Sequence, residues 1–289
     1  MSTLRTLLLT GAAMLAFAAN SLLCRLALAQ PRIDPGSFGS IRLVSGALVL
    51  ALIVRMRAGS DAPPRSDWLA ATMLFAYVAL FSFAYLSLSA GTGALILFGA
   101  VQLTMLGAGL RAGERFAPAA WAGLAAAIAG LVYLVSPGVS APAPLGATSM
   151  ALAGAAWGVY SLRGRGITDP LAATASNFAR AVPLALALSV LTAGAVHADG
   201  PGVALAVASG ALSSGIGYVI WYAALRGLTA MRAATVQLSV PPIAAIGGAL
   251  LLAEPLTPRL MLASAAILGG IAVVLATRAR AVARGATGH

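Results

Sequence analysis

Tyr77, Phe81 and Tyr85 recur at i, i+4 and i+8, and Tyr218, Trp221 and Tyr222 at i, i+3 and i+4, so on helices each set forms one aromatic face. Phe17 with Asn20, and Trp157 with Tyr160, repeat the i, i+3 spacing. Rings arranged this way, with a few hydroxyl and amide groups between them, can hold a small organic molecule by apolar contact and orient it by hydrogen bonds. An enzyme's nucleophile and base, or a metal cluster, would instead need acids, histidines or cysteines in groups. The chain has seven acids placed mostly between its apolar runs, His197 and His289 as its only histidines, and Cys24 as its only cysteine. Catalysis, a resident metal and an internal disulfide are therefore not expected, nor is any cofactor; the chemistry left is binding.

The other polar residues within apolar runs carry two readings each. The aromatic sets fit either a pocket or an interfacial belt with packing, although Tyr77, Phe81, Tyr218 and Trp221 fall toward the middle of their runs, where a belt would not sit. Gln102 and Gln237 fit either hydrogen bonding between helices, about 1 kcal/mol in a membrane, or a pair of amides receiving the amino or carboxylate group of a zwitterion. Pro241 and Pro242 follow Gln237 and either kink that helix or free backbone carbonyls there. Arg42 and Arg180 are the only charges well inside apolar runs. Each lies within a turn or two of a run's end, so snorkelling to the interface stands against holding a substrate carboxylate, and the pocket is expected to be neutral. Glu114 and Glu254 end their runs and read as gate residues or as anchors of the adjacent turn. No acid lies mid-run, so neither a carboxylate relay for protons nor a sodium site is visible.

The elements that position these residues follow from composition. Of 289 residues, 60% are hydrophobic and 9% charged, with a mean hydropathy of +0.95. Soluble domains carry roughly a quarter charged residues; this chain has too few polar groups to coat a water-facing surface, so its main solvent is lipid. A spanning helix needs about 20 apolar residues. Cutting at Arg, Pro, Asp and Gly clusters predicts ten segments: 7–29, 36–54, 68–88, 91–110, 118–136, 145–162, 171–193, 203–225, 229–252 and 258–277. They are continuously apolar rather than alternating, which predicts an all-α membrane protein and not a barrel. The first run also resembles a signal peptide, but it continues to Ala29, past any cleavage point near Ala18.

All 18 basic residues are arginine. With the N-terminus inside, Arg5, Arg55, Arg57, Arg65, Arg111, Arg115, Arg163, Arg165, Arg226, Arg232, Arg278, Arg280 and Arg284 fall on the cytoplasmic side, against Arg25, Arg32 and Arg259 opposite. Both termini are expected to be cytoplasmic, and the net charge of +11 is accounted for by topology. Scattered through short loops, these arginines form no face that tracks phosphates, so no nucleic acid partner is expected. The expected partners are the lipid bilayer and a small-molecule substrate; monomer and homodimer stay open.

A shift of 140 residues pairs Phe17 with Trp157, Arg25 with Arg165, Phe38 with Phe178, Phe81 with Trp221, Glu114 with Glu254, and Pro118 with Pro258 without a gap. This predicts two five-helix units, residues 1–140 and 141–289. Five crossings are odd, so the second unit is inverted, and inverted repeats favour a carrier that opens alternately to either side of a midplane site. A channel or a structural membrane protein is the competing class.

Gly113, Glu114 and Pro118 in the first half, and Pro241, Glu254 and Pro258 in the second, resemble the closing motif of the drug/metabolite transporter superfamily, EamA type. Trp157 with Tyr160, and Gly123, Gly130 and Gly270, fit it as well, and the five-plus-five pattern spans almost the whole chain. Within that superfamily the sequence is similar to the YddG-type aromatic amino-acid exporters. The resemblance implies export of amino acids, aromatic and other neutral ones, or related metabolites across a bacterial inner membrane; other metabolites or cationic drugs remain the alternative. One departure is that Val101 and Gln102 stand in the first half where the second has Pro241 and Pro242, so helices four and nine are not expected to kink alike.

Overall fold

Local chemistry sets where the helices begin. Four of the seven acids are N-caps: Asp34 accepts from the Ser37 amide, Asp67 from Ala70, Asp169 from Ala172 and Asp199 from Gly202. Each satisfies an amide that the first helical turn leaves without an intrahelical partner. Proline occupies the first turn after several caps, where its missing N–H costs nothing. The acids thus lie between the apolar runs because they start helices. Burial alone would raise the Asp34 carboxyl, but hydrogen bonds from Ser37 and from the His197 backbone outweigh it and hold the group below the usual carboxylate range.

A computed structural model describes residues 3–57, 67–114 and 116–286, excluding the side chains of 195, 230, 231 and 278–286. Arg65 and Arg115 lie outside the described residues, as do the side chains of Arg278, Arg280 and Arg284. Within them the helices are α1 (Thr3–Ala29), α2 (Pro35–Met56), α3 (Trp68–Ala84), α4 (Ala90–Arg111), α5 (Pro118–Val135), α6 (Pro144–Arg163), α7 (Pro170–Leu191), α8 (Gly200–Ala208), α9 (Gly217–Leu225), α10 (Ala230–Gln237), α11 (Val240–Leu252) and α12 (Pro258–Ala286). A π-helical segment, Ser209–Ile216, joins α8 to α9 in one rod. A break at Leu238 and Ser239 separates α10 from α11, with Pro241 in the first turn of α11, whereas α4 is continuous.

Eight of the rods are long and apolar enough to cross a membrane by length and composition. The apolar α3 has 17 residues, and α6, diluted by glycine and serine, is not among the eight. Large apolar side chains such as Leu7, Leu48, Leu250 and Met261 face outward on the rods, an arrangement that suits lipid and not water.

Neighbouring rods follow a regular scheme. α3 and α4 pack on α6, while the α8–α9 rod and α11 pack on α1; α2 lies against α7, and α5 against α12. The last crossing is close because both partners present glycine: a Cβ on Gly123 would sit 2.5 Å from the Gly270 carbonyl oxygen and 3.1 Å from Val273. Where α2 meets the π segment, Gly210 rests against the Arg42 backbone and leaves no room for a side chain.

Candidate functional site

The centre of the bundle encloses a cavity of about 730 Å3. Its walls come from α1, α2, α3, α4, α6, α7, the α8–α9 rod and α10, with Leu275 of α12. Trp157 of α6 is the hub. Its indole stacks on Tyr160 with centroids 5.1 Å apart and on Tyr218 at 5.7 Å, and tilts against Tyr77 at 4.8 Å. Phe17 meets the edge of Trp221 at 5.8 Å, and Phe81 lies 5.4 Å from Tyr77. Tyr222 shares a 2.7 Å hydrogen bond with Thr174, which also accepts from Tyr160 at 3.4 Å. Asn20, Gln102 and Gln237 complete the set, so of the twelve aromatic and amide residues put forward for a pocket all but Tyr85 line this one cavity. Tyr85, the last of its stripe, is buried below the cavity floor and donates instead to the Ala90 carbonyl.

A polar chain runs along one wall. The Ser209 hydroxyl donates to Asn20 Oδ1 at 2.5 Å, Asn20 Nδ2 donates to Tyr77 Oη at 3.3 Å, and Arg42 Nη2 donates to the same phenol at 3.0 Å. Arg42 Nε donates to Ser214 Oγ at 3.3 Å, and its guanidinium carbon lies 5.1 and 5.0 Å from the centroids of Tyr77 and Phe81.

Two expectations are corrected here. Arg42 does not snorkel: it is 1% exposed, because α3, α7 and the π segment cover its helix and leave no outward path. The pocket is consequently not neutral. Arg180 bonds Ser176 on its own helix and does not reach the cavity. Polar lining residues that the sequence did not single out include Ser21, Thr174, Asn177, Ser213 and Ser214, whereas Arg42 was weighed for a substrate carboxylate but not placed in the pocket. For Arg42 the signal was present, since a charge within an apolar run is costly enough to imply a partner.

The cavity opens at the end of the bundle that carries Asp67, Arg163, Arg165 and Ile167. At its rim Arg163 Nε contacts Asp67 at 2.7 Å. Burial would raise the Asp67 carboxyl, but the Arg163 hydrogen bond and the Ala70 amide hold it low. The opposite end is closed. There Arg25 Nε pairs with Glu254 Oε1 at 2.9 Å and Arg25 Nη1 donates to the Tyr85 carbonyl, while Glu254 Oε2 accepts from the Ala90 amide at 2.8 Å. Four helix ends, those of α1, α3, α4 and α11, are thereby tied together. Glu114, the other expected gate residue, follows α4 at the open end, with its carboxylate against Gly109. Pro242, like Pro241, belongs to the first turn of α11.

Residues 144–276 match the EamA-like transporter family. The chain is 55% identical over 280 residues to the uncharacterised protein PA1977 of Pseudomonas aeruginosa, covering 97% of this chain and 98% of that one. A crystal structure of a protein aligns with 96% of this chain and 99% of its own length at a TM-score of 0.65 and 21% identity, a likeness of fold. A multi-helix apolar bundle around a central cavity agrees with the family match: the chain is a multi-pass membrane protein whose residues 144–276 are similar to the EamA-like transporter family.

Proposed function

We propose that the protein exports amino acids, aromatic and other neutral ones, and related small metabolites across a bacterial inner membrane by alternating access between two inverted five-helix repeats, residues 1–140 and 141–289. One observation carries the reading: an aromatic-walled cavity large enough for a small metabolite is open at one end of the bundle and tied shut at the other. The arginine excess puts the open end in the cytoplasm and both termini with it, which is the loading state of an exporter. The neighbour scheme supports the repeat, since α3 meets α6 as the α8–α9 rod meets α1. All ten rods then cross the membrane, the shorter α3 included.

Arg165 and Glu114 stand in the repeat register where Arg25 and Glu254 stand in the other half. Arg165 lines the open mouth here, and in the opposite state it takes Glu114 as its partner.

Counterflow of labelled phenylalanine and threonine into proteoliposomes tests the function. Saturable counterflow above that of empty liposomes is expected; none for either compound with monodisperse protein would reject the amino-acid reading.

The closed end offers a separate test. Cys24, the chain's single cysteine, is fully buried one residue before Arg25. Glu254→Ala removes the acceptor shared by Arg25 and the Ala90 amide, so a membrane-impermeant maleimide should label Cys24 at least about tenfold faster, the ratio that roughly 1.4 kcal/mol of lost closure produces. An unchanged labelling rate would mean that this pair is not the closure.

A further inference from the structure

Arg42 is completely buried, yet one of its nitrogens, Nη1, has no hydrogen-bond partner. Its other two nitrogens are fixed by Tyr77 and Ser214, and the aromatic faces of Tyr77 and Phe81 hold the guanidinium in plane. None of these neighbours is an acid. Among the described residues the cavity lining contains a single carboxylate, Asp67, which sits at the mouth and is engaged by Arg163. Glu254 is at the far end with Arg25, and Asp34 caps α2 outside the cavity. An uncompensated charge in a low-dielectric interior is strongly unfavourable unless a ligand neutralises it. Guanidinium geometry matches a carboxylate with two parallel N–H donors, and here Nη2 and Nε are oriented by protein groups while Nη1, sealed from water, has no acceptor.

We infer that Arg42 is the docking point for the substrate's carboxylate, with the substrate's apolar body against the Trp157, Phe17 and Trp221 rings. The corollary concerns the other end of the molecule. No acid lies deep in the cavity to receive an ammonium group, so the carboxylate is the required group and a positive charge is dispensable. The site therefore accepts aromatic monocarboxylates without an amine, and it rejects amines without a carboxylate. This rests on the carrier reading of the cavity and narrows it to a ligand class.

The test measures binding to purified full-length protein in detergent, by thermal stabilisation, for compounds sharing one phenyl body: 3-phenylpropionate, phenylalanine, phenylalaninamide and phenethylamine. The first two are expected to bind, 3-phenylpropionate at least as tightly as phenylalanine, and the two lacking a carboxylate at least tenfold more weakly. In Arg42→Gln that discrimination collapses, whereas Arg42→Lys retains the preference with reduced affinity. Equal binding of the amide and the acid, or tighter binding of phenethylamine, overturns the inference. So does stabilisation by chloride equal to that by the carboxylates, or binding of none of the four compounds. If Arg42→Gln does not fold, the wild-type series decides by itself. Binding is read without transport, so a failure of counterflow rejects the amino-acid reading while leaving the charge preference to stand or fall separately.

Discussion

Trp157→Ala is expected to lower counterflow at least tenfold while leaving the protein folded and monodisperse. The indole touches three other rings of the cavity wall, Tyr77, Tyr160 and Tyr218. Each such pair contributes about 0.5–1.5 kcal/mol beyond the area it buries, and a substrate ring inserted here gains or loses a comparable amount. Since about 1.4 kcal/mol is tenfold in affinity, loss of this one surface is enough for a large transport defect. Stability should change less than the roughly 3–5 kcal/mol typical of a buried tryptophan truncation, because the side chain is only partly buried and borders a space that already exists. Trp121 is the control. It is 51% exposed on the outside of α5, and Trp121→Ala should transport normally. Equal activity of wild type and Trp157→Ala at matched protein levels would remove the aromatic cavity from the transport path.

Gly270→Val has the opposite signature, loss of folded protein. A Cβ on Gly270 would run into the Gly123 carbonyl and come within 2.8 Å of the Ala127 amide nitrogen. Both are backbone atoms of α5, so neither can swing aside as the end of a side chain would. The two helices must separate along their crossing, which costs about 1–3 kcal/mol or more for overpacking, in a membrane where close contact is the main force between helices. The adjacent Gly269 meets nothing within 4 Å, so Gly269→Ala isolates the effect of position. A normal size-exclusion profile and melting temperature for Gly270→Val would show that α5 and α12 are not held by this contact.

Much of the site was legible because ring side chains at helical spacing have to share a face. Tyr77 with Phe81, and Tyr218 with Trp221 and Tyr222, needed only their positions to be grouped. Pro241 and Pro242 likewise announced a discontinuity, and the break falls just before them at Leu238 and Ser239. Arg42 stayed open between the interface and a substrate carboxylate for a physical reason. It lies seven residues into α2, about 10 Å of rise, a depth from which an arginine reaches the interface if its face is free. Whether it is free depends on α3, α7 and the π segment, none of which the sequence of α2 specifies. Ser213, Ser214 and Thr174 were passed over because hydroxyls in membrane helices commonly bond their own backbone; Thr174 does so with the Pro170 carbonyl and still reaches Tyr222. The caps were placed correctly as breaks between runs, but that acids such as Asp34 and Asp199 start helices shows only in their contacts.

The π segment at Ser209–Ile216 makes the aromatic wall adjustable. Its residues, three serines and two glycines among eight, bind an α-helical geometry weakly, and a π turn carries one residue more than an α turn. Moving that extra residue along the rod changes the register by one, and one residue is about 100° of rotation. The stretch that the extra residue passes would turn like a key against the rest of the rod, and passage as far as Tyr222 would carry Tyr218, Trp221 and Tyr222 around the axis without breaking the rod or moving its ends. A ligand seated on those rings would therefore lock a backbone hydrogen-bond register as well as a set of side chains. Its imprint should appear as slowed amide exchange across Gly215 to Gly217, which lie outside the cavity wall and which no substrate atom needs to touch.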